Sequence, residues 1–138
     1  MKILIVDDDP AVVDFFVQVA ETQDVPTPDT AKSGEEAMAR VVNNQYDLVT
    51  LDIRMPGASG LDILSVVRNM CPHAIIAIIS GHFPENILEE AAHCADIMLE
   101  KPVKLEVLTT LIRSARSIRS ELDSLRTLDS FEQKKLAR

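Results

Sequence analysis

At 138 residues, 46% of them apolar and 26% charged, the chain has the size and make-up of one globular domain with a real core. The charge is split: residues 1–112 hold 7 Lys and Arg against 18 Asp and Glu, while residues 113–138 hold 7 against 4, for a net of −8 overall. An acidic body argues against direct nucleic-acid binding, which needs a basic face; the basic tail is a weak exception that reads more simply as a solvated helix face, and no apolar run is long enough to cross a membrane as a helix.

Taken in chain order, apolar runs alternate with helical patterns. Ile3-Leu4-Ile5-Val6 reads as a first strand, closed by Asp7, Asp8 and Asp9. Asp9 suits a helix cap and Pro10 the first helical position, with Val12, Phe16, Val19 and Ala20 following at helical spacing. Residues 25–31 read as a weak second strand at the sheet edge, because Pro26 and Pro28 donate no ladder hydrogen bond. Ser33-Gly34-Glu35-Glu36 is a capping-box pattern that starts a second helix. The third strand, about 47–52, is apolar throughout and ends at Asp52, as a central parallel strand should. Pro56, Gly57 and Gly60 form a loop. A third helix follows over about 60–70, a fourth strand over about 74–79 closed by Ser80, and a fourth helix over about 85–93. A fifth strand over about 96–100 ends at Lys101-Pro102, and a fifth helix starts near Lys104.

Five alternations in this length predict an α/β fold, a doubly wound (βα)5 domain with a five-stranded parallel sheet. Right-handed crossovers and an edge second strand predict the flavodoxin-like order 2-1-3-4-5. There is no Gly-x-Gly-x-x-Gly and no Walker-type phosphate loop, so a nucleotide fold is disfavoured. The carboxyl ends of such strands form one rim, so Asp7, Asp8, Asp52, Ser80 and Lys101 should converge there. Three clustered carboxylates repel one another, and a divalent cation relieves the repulsion; Mg²⁺ takes oxygen ligands and works with phosphate groups. Asp52 is then a candidate nucleophile that becomes an acyl phosphate, with Mg²⁺ and Lys101 neutralising the phosphoryl oxygens and Ser80 donating to one of them.

Four stretches in order carry a family likeness: Ile3 to Pro10, Leu51-Asp52-Ile53-Arg54-Met55-Pro56-Gly57 with Gly60-Leu61, Ile78-Ile79-Ser80-Gly81-His82, and Leu99-Glu100-Lys101-Pro102. Over about residues 1–118 the chain resembles the receiver domains of two-component response regulators. The remainder, 119–138, reads as a C-terminal helical extension or linker. The resemblance implies that Asp52 accepts phosphate from a sensor histidine kinase or phosphotransfer protein. It also implies that Asp8 ligates Mg²⁺ directly, that Asp7 acts mainly through water, and that the Arg54 backbone carbonyl is a further ligand. Ser80 would be the switch hydroxyl, Lys101 the phosphate-sensing lysine, and the Lys101–Pro102 bond cis. Phosphorylation would then shift the face made by the fourth helix, fifth strand and fifth helix toward a downstream protein or an output domain. Two positions depart from the family: Met98 stands where Tyr or Phe is frequent, and Val103 where Phe is common. Phosphorylation chemistry should survive both, while the route of the signal to the surface should differ.

Two rival readings exist. In a haloacid-dehalogenase-type phosphatase, Asp7 would be the nucleophile and Asp9 the acid, but Asp52 then lacks a role. In a receiver-like scaffold, Asp52 would never turn over phosphate. The start of the chain, Met1-Lys2-Ile3, enters a strand without a small-residue cleavage site, so a cytoplasmic location is expected. Cys71 and Cys94 form no Cys-x-x-Cys pair and read as packed hydrophobes. His73, His82 and His93 are isolated from one another, though His82 sits beside Ser80. Leu111, Ala115, Ile118, Leu122 and Leu125 follow a heptad seam that fails at Asp129. This leaves open a solvent-projecting helix end or a homodimer through the fifth helix.

Overall fold

The computed structural model describes residues 1–55, 57–58, 60–83, 87–91 and 93–136. The elements are β1 (Ile3–Val6), α1 (Pro10–Thr22), β2 (Asp29–Ala31), α2 (Gly34–Asn43), β3 (Leu48–Leu51), α3 (Gly60–Met70), β4 (Ile75–Ser80), α4 (Ile87–Ala91), β5 (Ile97–Glu100) and α5 (Leu105–Leu136). The strands form one parallel sheet in the order β2-β1-β3-β4-β5, as the alternation predicts. The expected loop residue Pro56 and the expected helix positions 85, 86 and 92 lie outside the described residues.

Local chemistry sets the ends of these elements. The Asp9 carboxylate accepts from the Ala11 N–H at the start of α1, where Pro10 has no N–H to satisfy. The Ser33 hydroxyl accepts from the Glu36 N–H at the start of α2. Glu36 reaches back one residue further than a capping box predicts: its carboxylate accepts from the Lys32 N–H. β2 is only three residues long, because Pro26 and Pro28 cannot donate to the ladder.

Both faces of the sheet are packed. Leu4, Val6, Val49, Leu51, Ile76 and Ile78 point one way, into a cluster with α2, α3 and α4. Ile3, Ile5, Leu48, Ala77 and Ile79 point the other way, toward α1 and α5. This period-two division leaves β1, β3 and β4 with almost no exposed surface, so their carboxyl-terminal residues are held with little freedom. Both cysteines are free thiols, Cys71 buried and Cys94 half-buried.

Arg68 ties three connections together. Its guanidinium donates to the carbonyls of Cys94 (2.9 Å), Pro72 (3.2 Å) and Ala74 (2.7 Å) and pairs with Asp96 at 2.8 Å. The same Asp96 oxygen accepts from the Ile76 N–H. The end of α3, the start of β4 and the turn before β5 therefore share one anchor.

Candidate functional site

β1 and β3 are neighbours, and Val6 lies opposite Leu51 in the ladder. The residues that follow them, Asp7 and Asp52, therefore emerge side by side at the carboxyl edge. The Asp52 N–H donates to the Val6 carbonyl (2.9 Å), which carries the pairing one residue past the strands. Asp7 and Asp52 are buried and Asp8 is exposed. One carboxylate oxygen from each of the three lies within 4.8 Å of the others, a spacing that a single cation can bridge. Among the described residues this is the one cluster of metal-ligating side chains. The histidines do not join it.

Each side chain is held. Asp7 accepts from the Asp9 N–H (2.9 Å), and Asp52 accepts from the Arg54 N–H (3.0 Å). Gly60, the first residue of α3, lies directly against Asp52: a Cβ there would sit 2.4 Å from the Asp52 carbonyl oxygen and 2.7 Å from the Ile53 Cα. Gly57 turns the same loop at a φ of +79°, and the Glu35 carboxylate accepts from the Ala58 N–H beside it.

Lys101 completes the site from the end of β5. Its ammonium donates to Asp7 at 2.7 Å and to Asp52 at 3.3 Å. Without Lys101, the two buried carboxylates alone would repel by about 3 kcal/mol at an effective dielectric of about 20. Burial pushes the Asp7 carboxyl above its ordinary value; the Lys101 hydrogen bond and the Asp9 N–H offset part of that, and the charge of Asp52 adds to the rise. Burial alone would lower the Lys101 ammonium, but the hydrogen bond and charge of Asp7, with the charge of Asp52, outweigh it and hold it above its ordinary value. The Lys101–Pro102 peptide is cis.

Ser80 is fully buried at the end of β4, and its hydroxyl is engaged with its own turn. It donates to the His82 carbonyl (3.2 Å) and lies 3.5 Å from the His82 N–H. Arg54 projects into solvent, two residues past Asp52. The rim therefore gathers Asp7, Asp8, Asp52 and Lys101 by direct contact or cation-bridging distance, with Ser80 on the adjacent strand end. Sequence reasoning missed two supports, the Gly60 packing under Asp52 and the Glu35 tether on the following loop. The only signal for the first was a glycine eight residues past the aspartate, at a helix start.

An open parallel sheet whose winding reverses between β1 and β3, with an acidic, lysine-bearing cluster at that point, is a flavodoxin-like domain. The response regulator receiver domain model matches residues 3–113, and the chain belongs to that family. The transcriptional regulatory protein YvrH of Bacillus subtilis is 33% identical over 113 residues, which is 82% of this chain and 48% of YvrH. The chain thus spans about half the length of that relative, and less of others. A CheY-like receiver domain from Methanospirillum hungatei shares the fold with a TM-score of 0.79 at 24% identity, covering 87% of this chain and 97% of that one. The response regulator TrrA of Thermotoga maritima, solved with Mg²⁺ and BeF, matches with a TM-score of 0.73 at 29% identity, over 83% of this chain and 97% of that one. The chain is a receiver domain of the two-component type, a signalling domain, and the phosphatase reading is not favoured. No helix among the described residues is long and apolar enough to cross a membrane.

Proposed function

We propose that Asp52 is the phosphoacceptor, and that Asp7, Asp8, Asp52 and the Arg54 carbonyl hold Mg²⁺ beside it. The observation that carries this reading is the convergence of three carboxylates within 4.8 Å, two of them bonded to one lysine, at the switch point of the sheet. When bound, Mg²⁺ neutralises phosphoryl oxygens and screens the carboxylates from one another.

The chain's own residues do the rest. The Arg54 N–H and the Lys101 ammonium fix the orientation of the Asp52 carboxylate before a donor arrives. One carboxylate oxygen attacks phosphorus in line. The new O–P bond forms as the P–N bond of a donor phosphohistidine breaks, and the imidazole leaves with the electron pair. Lys101 then has a phosphoryl oxygen to bind in place of a carboxylate. Ser80, released from His82, donates to a second. The loop after β4 follows Ser80, and the face made by α4, β5 and α5 changes its packing. The donor is a histidine kinase or a phosphotransfer protein, the receiver of the change is a downstream protein or an output domain, and the setting is the cytoplasm. The chain catalyses no turnover beyond slow phosphorylation and dephosphorylation of itself.

The test is acetyl phosphate with Mg²⁺, followed by borohydride trapping and peptide mass spectrometry. Label on Asp52, absent in Asp52→Asn, is the expected result. Label on Asp7 would point to phosphatase-type chemistry. No label under conditions that modify a control receiver would point to a silent scaffold.

A further inference from the structure

The loop between β3 and α3 begins at the acidic cluster and carries the Arg54 carbonyl. Both of its ends are fixed on Asp52. The Arg54 N–H donates to the Asp52 carboxylate at 3.0 Å, and Gly60 lies against the Asp52 carbonyl and the Ile53 Cα. The middle of the loop, Gly57 and Ala58, is held instead by a different element, the start of α2.

That hold is closely fitted. A Cβ on Gly34 would stand 2.5 Å from the Ala58 carbonyl oxygen and 2.9 Å from the Ala58 Cβ. A Cβ on Gly57 would stand 3.1 Å from the nearer oxygen of the Glu35 carboxylate. Missing side chains on both partners thus let the helix and the loop meet. Within the contact, the Glu35 carboxylate accepts from the Ala58 N–H at 3.3 Å.

The two glutamates in the first turn of α2 have different tasks. Glu36 serves its own helix: its N–H donates to the Ser33 hydroxyl, and its carboxylate accepts from the Lys32 N–H. Glu35 serves the loop. Because Glu35 is exposed, its hydrogen bond adds little to global stability. Its effect is to select one arrangement of a segment whose backbone borders the acidic cluster. A site that requires one loop arrangement binds its ion more weakly in proportion to the fraction of time that arrangement is absent.

On the reading that Asp7, Asp8, Asp52 and the Arg54 carbonyl hold Mg²⁺, on which this inference rests, we propose that Glu35 is a positioning residue for the cation site. By clamping Ala58 from the start of α2, it keeps the β3–α3 loop in the arrangement that presents the Arg54 carbonyl to the ion. Glu35 is not one of the three clustered carboxylates, and it acts through the Ala58 N–H.

The test is calorimetric titration of the full chain with MgCl₂ at fixed ionic strength. If the untied loop presents the carbonyl about a tenth to a third of the time, Glu35→Ala raises Kd about three- to ten-fold. Glu35→Gln keeps an oxygen that can accept from the Ala58 N–H, and its Kd should stay within about two-fold of the parent's. Ser33→Ala removes the cap of α2 without touching Ala58; it should lower the urea midpoint and leave Kd within about two-fold of the parent's. In the metal-free chain, the Ala58 amide hydrogen should exchange faster in Glu35→Ala than in the parent or in Glu35→Gln. A parent that bound no Mg²⁺ would overturn the reading of the site and this inference together. A parent that binds Mg²⁺, with Glu35→Ala binding it equally well, would overturn the inference alone. Equal weakening in Glu35→Gln would assign the effect to charge acting at a distance, and equal weakening in Ser33→Ala to general loosening of α2. Either result would overturn the inference, as would parental Ala58 exchange in Glu35→Ala.

Discussion

Gly60→Ala is a sharp test of how α3 supports the phosphoacceptor. The added methyl would sit 2.4 Å from the Asp52 carbonyl oxygen, 2.7 Å from the Ile53 Cα and 3.0 Å from the Asp52 carbonyl carbon. All three atoms are backbone, and the Asp52 N–H is bonded to Val6, so the obstacle cannot rotate away as a side chain would. Either the start of α3 or the Asp52 segment must shift. Overpacking a closed site costs roughly 1–3 kcal/mol, while replacing a helical glycine by alanine returns at most about 1 kcal/mol. The net expectation is about 1–2 kcal/mol of lost stability. With a urea m-value of roughly 1–3 kcal/mol/M, the midpoint should fall by about 0.3–2 M. Gly81→Ala is the control: a Cβ there meets nothing within 4 Å, so its stability should stay within about 0.5 kcal/mol of the parent's. Phosphorylation from acetyl phosphate should slow in Gly60→Ala and not in Gly81→Ala. If both variants unfolded at the parental midpoint, the claim that Gly60 buttresses Asp52 would be wrong.

Other outcomes follow from the same structure. Thr50→Val should raise stability by about 1 kcal/mol in chemical denaturation, because the Thr50 hydroxyl is buried on β3 without a hydrogen-bond partner among the described residues; a loss of stability would mean the hydroxyl is satisfied in solution. Mg²⁺ should raise the melting temperature by mass action, worth about 2.7 kcal/mol at one hundred times Kd, and Asp8→Asn should remove most of that shift; an Asp8→Asn response equal to the parent's would take Asp8 out of the site. The pH dependence has a defined sign. The folded chain binds a proton at Asp7 more readily than the unfolded chain, whose carboxyl titrates at about 3.8. The stability this gives is present below 3.8 and declines as the pH rises through the higher folded value. Asp7→Asn should lose that decline in metal-free urea titrations; the same slope in both proteins would assign it to another group. Lys101 contributes stability that is full below 10.5 and is lost as the pH rises through its raised value, a loss that Lys101→Met should not show.

Much of this was legible in the sequence because it depends on period and on strand ends. Largely apolar runs of four or five residues gave β1, β3 and β4, with Thr50 the one polar side chain inside them, and the acid or hydroxyl that closes each run marks the rim. The parallel order follows from alternation and from two prolines that confine β2 to the edge. What was not legible depends on distance across the fold. That Lys101 bonds Asp7 more closely than Asp52 is a matter of sub-ångström placement. That Ser80 is turned toward His82 reflects a local rotamer choice. Glu36 bonding Lys32 rather than Ser33 is a one-residue shift that spacing cannot resolve. The seam along α5 was visible as a pattern, but its two halves differ. Leu111 and Ala115 are buried against the sheet, whereas Leu125 is exposed.

The Arg68 anchor bears on how strain can travel. By gripping the Cys94 carbonyl and Asp96, it pins the chain just after α4 to the end of α3 and to the edge of β4. The five-residue helix is thus secured at its far end. Under the proposed switch, a displacement of its near end would tilt α4 as a lever whose fulcrum is the guanidinium.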